Sequence, residues 1–257
     1  MLLKVATYNV NSIRSRLHIV IPWLERSGAD ILMMQETKVD DSKFPVREFR
    51  EIGYNVVFHG TGGYNGVAIA SREELEGVRF GLFGRDPDRL VRGIYKGIHV
   101  LNAYVPQGFR IDSPKYVYKL GWLRDLRRLL EVEYDRNWKL LLGGDLNVAP
   151  EPIDVHDPEG LKNHVDFHIE VRELFKGILS WGLVDLFRRH HPGEEGQYTF
   201  YDYRVRDPVS RGIGWRVDHL LATEPLAERS IDCYIDLEPR LAEKPSDHAI
   251  LVAEFEL

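Results

Sequence analysis

An acid and an imidazole stand side by side near the carboxyl end of this chain, where Ser246, Asp247 and His248 precede the apolar run AILVAEFEL. They complete a series of acidic and amide residues, each placed where a strand-like run stops. Asn9 and Asn11 follow LLKVATY, Glu36 follows DILMMQ, Asp145 and Asn147 follow KLLLGG, and Asp218 follows WRV. Strands that deliver polar side chains to one rim of a sheet build hydrolytic metal sites in α/β folds.

The chemistry open to such residues is phosphodiester hydrolysis. Anionic phosphodiesters repel hydroxide and release a poor alkoxide, and a divalent cation relieves both problems. Hard cations such as Mg²⁺ take carboxylate oxygens together with water and substrate phosphate. Glu36 in QETK is the first ligand candidate. Asp145 in GGDLN can take a proton from water, and the Asn147 amide can orient that water or donate to a phosphate oxygen. Gly143 and Gly144 are read as leaving the backbone open to substrate. In the pair Asp218 and His248, the acid fixes the ring and favours the imidazolium, a donor to phosphate. Each feature also has a bland counterpart: a helix cap for Glu36, a plain turn for GGDLN, a surface position for Asp218, a structural role for His248. Of the ten histidines, the nine others, His190 and His191 included, are read as structural or surface.

The elements that must position these residues are strands first. LLKVATY, DILMMQ, YNVVFHG, GVAIAS, RLVRGIYKGIHVLNAYV, WKLLLGG, WRVDHLLAT, SIDCYIDL and AILVAEFEL are rich in branched and aromatic residues. Helical periodicity covers Lys115 to Tyr134, with Tyr118, Trp122, Leu126, Leu129 and Leu130 on one face, and His168 to Trp181, with Val171, Leu174, Phe175 and Ile178 as its stripe. A weaker pattern covers Arg16 to Ser27, where Pro22 predicts a late start or a kink. The strands are too many for one comfortable sheet, so an α/β chain of two packed sheets flanked by helices is expected. No linker, low-complexity tract or repeat marks a domain boundary.

Composition sets the remaining bounds. A net charge of −6 runs against the basic surface that nucleic-acid phosphates favour. A metal site needs carboxylates of its own, however, and the local field governs binding. Arginines gather at Arg14 and Arg16, at Arg85, Arg89 and Arg92, at Arg188 and Arg189, and at Arg204, Arg206, Arg211 and Arg216. The single cysteine, Cys233, forms no intrachain disulfide or thiolate cluster and is expected to be packed. The amino terminus lacks a secretory signal pattern, and no apolar run approaches the roughly 18 residues that span a bilayer. A cytoplasmic location, at the nucleoid in a prokaryote, and no membrane partner are expected.

Together these residues resemble the exonuclease III family of abasic-site endonucleases, within the endonuclease/exonuclease/phosphatase superfamily. Eight motifs occur in the family's order: YNVNSIR (Tyr8–Arg14), QETK (Gln35–Lys38), GYNGVAI (Gly63–Ile69), NAYVPQG (Asn102–Gly108), GGDLN (Gly143–Asn147), SWGLVDLFR (Ser180–Arg188), GWRVDHLLAT (Gly214–Thr223) and KPSDH (Lys244–His248). The resemblance implies a four-layer sandwich of two mixed β-sheets between helices, as a single catalytic domain over 1–257. It implies Glu36 as principal metal ligand with Asn9 and Asp247 nearby, Asp145 and Asn147 as the water-handling pair, Asp218 with His248 as the dyad, and Tyr104 approaching the phosphate. Asn11 stands where some relatives carry Asp. Whether Asp145 or the dyad prepares the water stays open.

Substrate choice rests on another set. The segments around Phe200 and Trp215–Val217 are similar to the apolar walls that accept a flipped-out, baseless deoxyribose in the DNA-repair branch; such a pocket excludes a normal nucleotide by size. Ordinary core packing is the competing explanation. Tyr64, Gln107 and Arg216 are further DNA-contact candidates. The implied enzyme is a monomer that uses Mg²⁺, with Mn²⁺ as the alternative, to cut double-stranded DNA 5′ to abasic sites, with 3′→5′ exonuclease or 3′-end-cleaning activity. Two other readings stay open: a same-fold phosphatase acting on an inositol phosphate or lipid headgroup, and a non-catalytic DNA-binding module.

Overall fold

The branched and aromatic runs pair into two sheets of six strands each in the computed structural model, which describes residues 2–257. In chain order the elements begin β1 (Leu2–Asn9), α1 (Ile13–Ser27), β2 (Ile31–Gln35), α2 (Val46–Glu51), β3 (Asn55–His59), β4 (Val67–Ser71), β5 (Glu76–Phe80), β6 (Leu90–Tyr95), β7 (Ile98–Tyr104) and α3 (Pro114–Glu133). They continue with β8 (Leu140–Asp145), α4 (Ile169–Ser180), β9 (Leu183–Asp185), α5 (Leu186–His190), β10 (Asp218–Thr223), α6 (Glu224–Ala227), β11 (Ser230–Asp236), α7 (Glu238–Leu241) and β12 (Ile250–Glu256).

The first sheet has the order β11-β12-β1-β2-β4-β3, the second β5-β6-β7-β8-β10-β9. Each contains one parallel pair, β1 with β2 and β7 with β8. Parallel neighbours need a crossover, and α1 and α3 supply it. Both strands of each pair therefore point their carboxyl ends the same way, which is where open α/β sheets bind ligands.

Strands buried on both faces explain the near-continuous apolar runs. Val5, Met33 and Ile69 of the first sheet meet Val100, Leu141 and Leu220 of the second in a shared inner core. On the outer faces, Val20, Trp23 and Leu24 of α1 pack on the first sheet. Leu126 and Leu130 of α3 and Phe175 and Ile178 of α4 pack on the second. The four layers are helix, sheet, sheet, helix, as expected.

Several local expectations change. Helix α1 starts at Ile13 and carries Pro22 inside it; packing of Val20, Trp23 and Leu24 offsets the roughly 3 kcal/mol or more that an interior proline costs. In α3 the Ser113 side chain accepts from the Tyr116 N–H and Pro114 opens the helix. Tyr118, expected on its apolar face, is 40% exposed, and the fully buried Lys119 takes an inward position instead. The WRV segment is not strand: β10 begins at Asp218, and Trp215 makes isolated bridges to Val155 and Phe200. Cys233 is buried, as expected.

Candidate active site

Register brings the acids together. Tyr104 at the end of β7 pairs with Asp145 at the end of β8, and Asp145 also pairs with Asp218 at the start of β10. In the facing sheet Asn9 pairs with Gln35, one residue before Glu36. Glu36 and Asn147 both turn the chain at positive φ, 51° and 49°, conformations that L-residues adopt at a cost. Gly144 is required by geometry: its φ is +135°, and a Cβ there would lie 1.9 Å from the Ala103 carbonyl oxygen. Gly143 serves packing rather than substrate approach. A Cβ at that position would meet Met33 Sδ at 2.7 Å and Leu220 Cδ2 at 2.8 Å, between the sheets.

Hydrogen bonds, and one ion-pair contact between His248 and Asp145, link the polar side chains. Asn9 Nδ2 donates to Glu36 Oε1 and to Asp145 Oδ2, both at 2.8 Å. The Tyr104 hydroxyl donates to Glu36 Oε1 at 2.9 Å. His248 Nδ1 lies 2.7 Å from Asp218 Oδ2, and its Nε2 is 3.8 Å from Asp145 Oδ2. Asp145 Oδ1 accepts from the Asn147 N–H at 3.0 Å, and the Asn147 side chain donates to the Val105 carbonyl at 2.9 Å. Asn11 donates to Asp247 Oδ1 at 3.0 Å. Lys38, not among the sequence candidates, joins Asn11 Oδ1 at 2.6 Å to Glu36 Oε2 at 2.7 Å.

Burial and charge set the protonation. Burial pushes the Asp145 carboxyl up, and Asp218 and Glu36 add to the rise while the charge of His248 and the Asn9 hydrogen bond oppose it. Burial pulls the His248 imidazole down, but Asp218 and Asp145 outweigh it and hold the ring well above the ordinary histidine range. Burial also raises Glu36, yet the charge and hydrogen bonds of Lys38 and Asn9 leave it below the usual carboxylate range. Burial beside Glu36 and Asp145 keeps the Tyr104 hydroxyl protonated.

The donor set suits a hard divalent ion. Glu36 and Asp247 present carboxylates to the same cavity, and carboxylate oxygens are what Mg²⁺ and Mn²⁺ prefer. The chain's own ammonium, Lys38, already stands against Glu36, which marks the position as attractive to cations. A second grouping, Asp145, Asp218 and His248, has ligand atoms within 4.8 Å of one another, though its imidazole and Asp218 are engaged with each other. The buried Asp218 Oδ1 has no hydrogen-bond partner. Asn9 turns its N–H toward both carboxylates while its oxygen accepts from the Asn11 backbone at 3.0 Å, so it bridges acids here instead of offering an oxygen.

These groups open onto a cavity of about 430 Å³. Phe200, Trp215 and Val217 form its apolar wall, with the Phe200 ring 5.1 Å from that of His248. Gln107 also lines it, whereas Tyr64 stands outside, 83% exposed on a neighbouring loop. Arg216 departs from expectation. It is fully buried, with Nε 2.7 Å from Asp154 and Nη2 2.8 Å from Asp185. Trp215 and Val217 face the cavity from either side of it in sequence, so the intervening side chain is left to the interior. His164, Asp166 and Asp202 line the cavity unforeseen, and Arg204, from one of the arginine groups, lines it too. No spacing in the sequence marks them, because the loops that carry them fold back only in three dimensions.

Comparison with known proteins agrees with this geometry. The sequence pattern of the Endonuclease/Exonuclease/phosphatase family matches residues 6–248. An exodeoxyribonuclease III from Haemophilus influenzae is 33% identical over 267 aligned positions, covering 98% of this chain and 100% of that protein. An AP endonuclease from Archaeoglobus fulgidus superposes with a TM-score of 0.98 at 60% identity, covering 99% of this chain and 100% of that one. A 3′ phosphatase from Neisseria, solved with a product DNA hairpin, gives a TM-score of 0.95 at 39% identity, with coverage of 99% and 100%. With its acids at the strand ends and these relatives matched along their whole length, the chain belongs to the endonuclease/exonuclease/phosphatase family, in its exonuclease III branch.

Proposed function

We propose that this chain is a DNA-repair phosphodiesterase that cuts the backbone of double-stranded DNA 5′ to abasic sites. A 3′→5′ exonuclease or 3′-end-cleaning activity accompanies it, in line with the exodeoxyribonuclease and 3′ phosphatase names of its relatives. The observation that carries this reading is the direct opening of the Glu36, Asp145 and His248 network onto the Phe200, Trp215 and Val217 wall. A same-fold lipid or inositol phosphatase has no need of such a wall.

Glu36 and Asp247 are the residues proposed to hold Mg²⁺, or Mn²⁺, with Asn9 tying Glu36 to Asp145. The bound ion would neutralise phosphate charge and stabilise the departing oxygen. His248, kept as imidazolium by Asp218, donates to a phosphate oxygen. The Asn147 amide and the Tyr104 hydroxyl hold the same phosphate in place. Asp145, its basicity raised by burial, takes the proton of the attacking water. The apolar wall receives a sugar that lacks its base, since unstacking such a residue costs little.

The reading further takes residues 1–257 as one catalytic domain acting as a monomer in the cytoplasm, at the nucleoid in a prokaryote. Among the described residues no helix is long and apolar enough to cross a membrane. The test is one gel comparing abasic, uracil-containing and recessed-end duplexes, each with Mg²⁺ or with chelator. Incision confined to the abasic strand and the recessed end, and only with metal, is expected. Inert DNA beside hydrolysis of an inositol phosphate would reverse the assignment.

A further inference from the structure

Lys119 is a cation on α3 with no exposure to solvent. Its Nζ lies within hydrogen-bond distance of four oxygens: the carbonyls of Gln107 at 3.2 Å, Asn147 at 2.6 Å and Val165 at 2.9 Å, and Asp166 Oδ1 at 2.6 Å. An ammonium has three N–H donors, so the lysine is saturated. These acceptors belong to three separate segments of the chain. Gln107, Asn147 and Asp166 also line the catalytic cavity. The loop before α3 is shaped around the lysine: Gly108 has φ +95°, and a Cβ there would sit 3.1 Å from Lys119 Cδ.

Packing alone does not account for a lysine here. A buried charge loses its hydration, and an apolar side chain of similar size often serves stability as well or better. What an apolar side chain cannot do is converge three loops on one point. Nor does Lys119 reach the substrate, because its ammonium is spent on the backbone behind Asn147.

We propose that Lys119 is a positioning residue, whose single ammonium fixes Asn147 relative to Gln107 and Asp166 and thereby sets where the phosphate sits against the cavity wall. This rests on the reading of Asn147 as a group that holds the phosphate.

The test is steady-state kinetics on an abasic duplex with saturating Mg²⁺, alongside thermal melting, for Lys119→Met, Asn147→Ala, the two combined, and Lys119→Met with Asp166→Asn. Lys119→Met should lower kcat by about 10- to 100-fold, the scale expected when a catalytic group is displaced. Added to Asn147→Ala it should cost less than about twofold, because the amide it positions is already gone. The neutral pair Lys119→Met with Asp166→Asn should recover melting temperature but not kcat. Recovery of kcat together with melting temperature, or losses that multiply with Asn147→Ala, would make the lysine a packing element and overturn the proposal. Parental kcat in Lys119→Met beside a loss in Asn147→Ala sinks this proposal alone. Parental kcat in Asn147→Ala sinks the reading of Asn147 and the proposal with it. Should Lys119→Met not fold, Lys119→Arg takes its place: the guanidinium keeps the charge but spreads its donors over a plane. A folded Lys119→Arg with reduced kcat supports the proposal, and parental kcat or a second failure to fold overturns it.

Discussion

His248 and Asp218 share a buried hydrogen bond of 2.7 Å between Nδ1 and Oδ2, across the gap between β10 and the segment that leads into β12. The two residues lie 30 positions apart in sequence, and both are buried. The acid fixes which ring nitrogen faces the cavity and keeps the ring charged.

That pairing predicts a pH profile. The His248 pKa is raised, so the imidazolium is fully present at neutral pH and is lost only as pH rises through the raised value. Asp218→Asn removes the leading partner that raises it, leaving only Asp145 and Asp247 against the burial that pulls the ring down. The alkaline limb of the kcat/KM profile should move to lower pH, with a loss of about 10- to 100-fold near pH 8. Profiles from about pH 5.5 to 10 check this; an unmoved alkaline limb would detach His248 from the chemistry.

Arg216 predicts a stability effect with no direct contact to substrate. Burial pushes Asp154 and Asp185 up, but Arg216 outweighs it and holds both carboxyls below the usual range. Their contribution is therefore complete above the ordinary carboxylate range and is lost as pH falls through the depressed values. Arg216→Met, which takes the guanidinium from Asp185 and leaves Asp154 only that of Arg188, should cost about 3–5 kcal/mol at neutral pH, and the deficit should narrow in acid. Urea unfolding at neutral and acidic pH measures it. A deficit that does not change with pH would mean the acids are not what the arginine holds.

Phe200 should separate substrates. Phe200→Ala opens the wall beside His248 and should lower kcat/KM on abasic duplex by about tenfold or more, as loss of a buried aromatic contact costs. Cleavage at a recessed 3′ end should suffer less. Equal losses on both substrates would make the ring a packing element of the catalytic network instead of a wall for the sugar.

Metal binding can be read without turnover. Glu36→Gln keeps the shape of the side chain but removes its charge and should weaken Mg²⁺ or Mn²⁺ binding by about tenfold or more in calorimetric titration. Undiminished binding would shift the ion toward Asp145, Asp218 and His248, whose ligand atoms also cluster.

Much of this was legible before folding. Apolar runs that stop at an acid or amide foretold the rim for Asn9, Glu36 and Asp145, because parallel strands deliver their carboxyl ends to one side; His248 reaches it from the amino end of β12, which runs antiparallel to β1. Arg216, a DNA-contact candidate in the sequence, is buried instead, because along an irregular segment only its neighbours Trp215 and Val217 face the cavity. Lys119 was invisible for the opposite reason: a lysine at helical spacing reads as solvated, and nothing local reveals that three loops close over it. The sequence reads Gly143 as opening the backbone to substrate, but the two facing sheets, which no single segment describes, leave no room for a Cβ there.

The most direct test of the account is the cleavage rate of Asp145→Asn on abasic duplex with saturating Mg²⁺. The substitution preserves size and the Asn147 backbone contact but removes the base, so a loss of about 100-fold or more is expected. Cleavage at the parental rate would contradict the convergence of these strand ends on one phosphate.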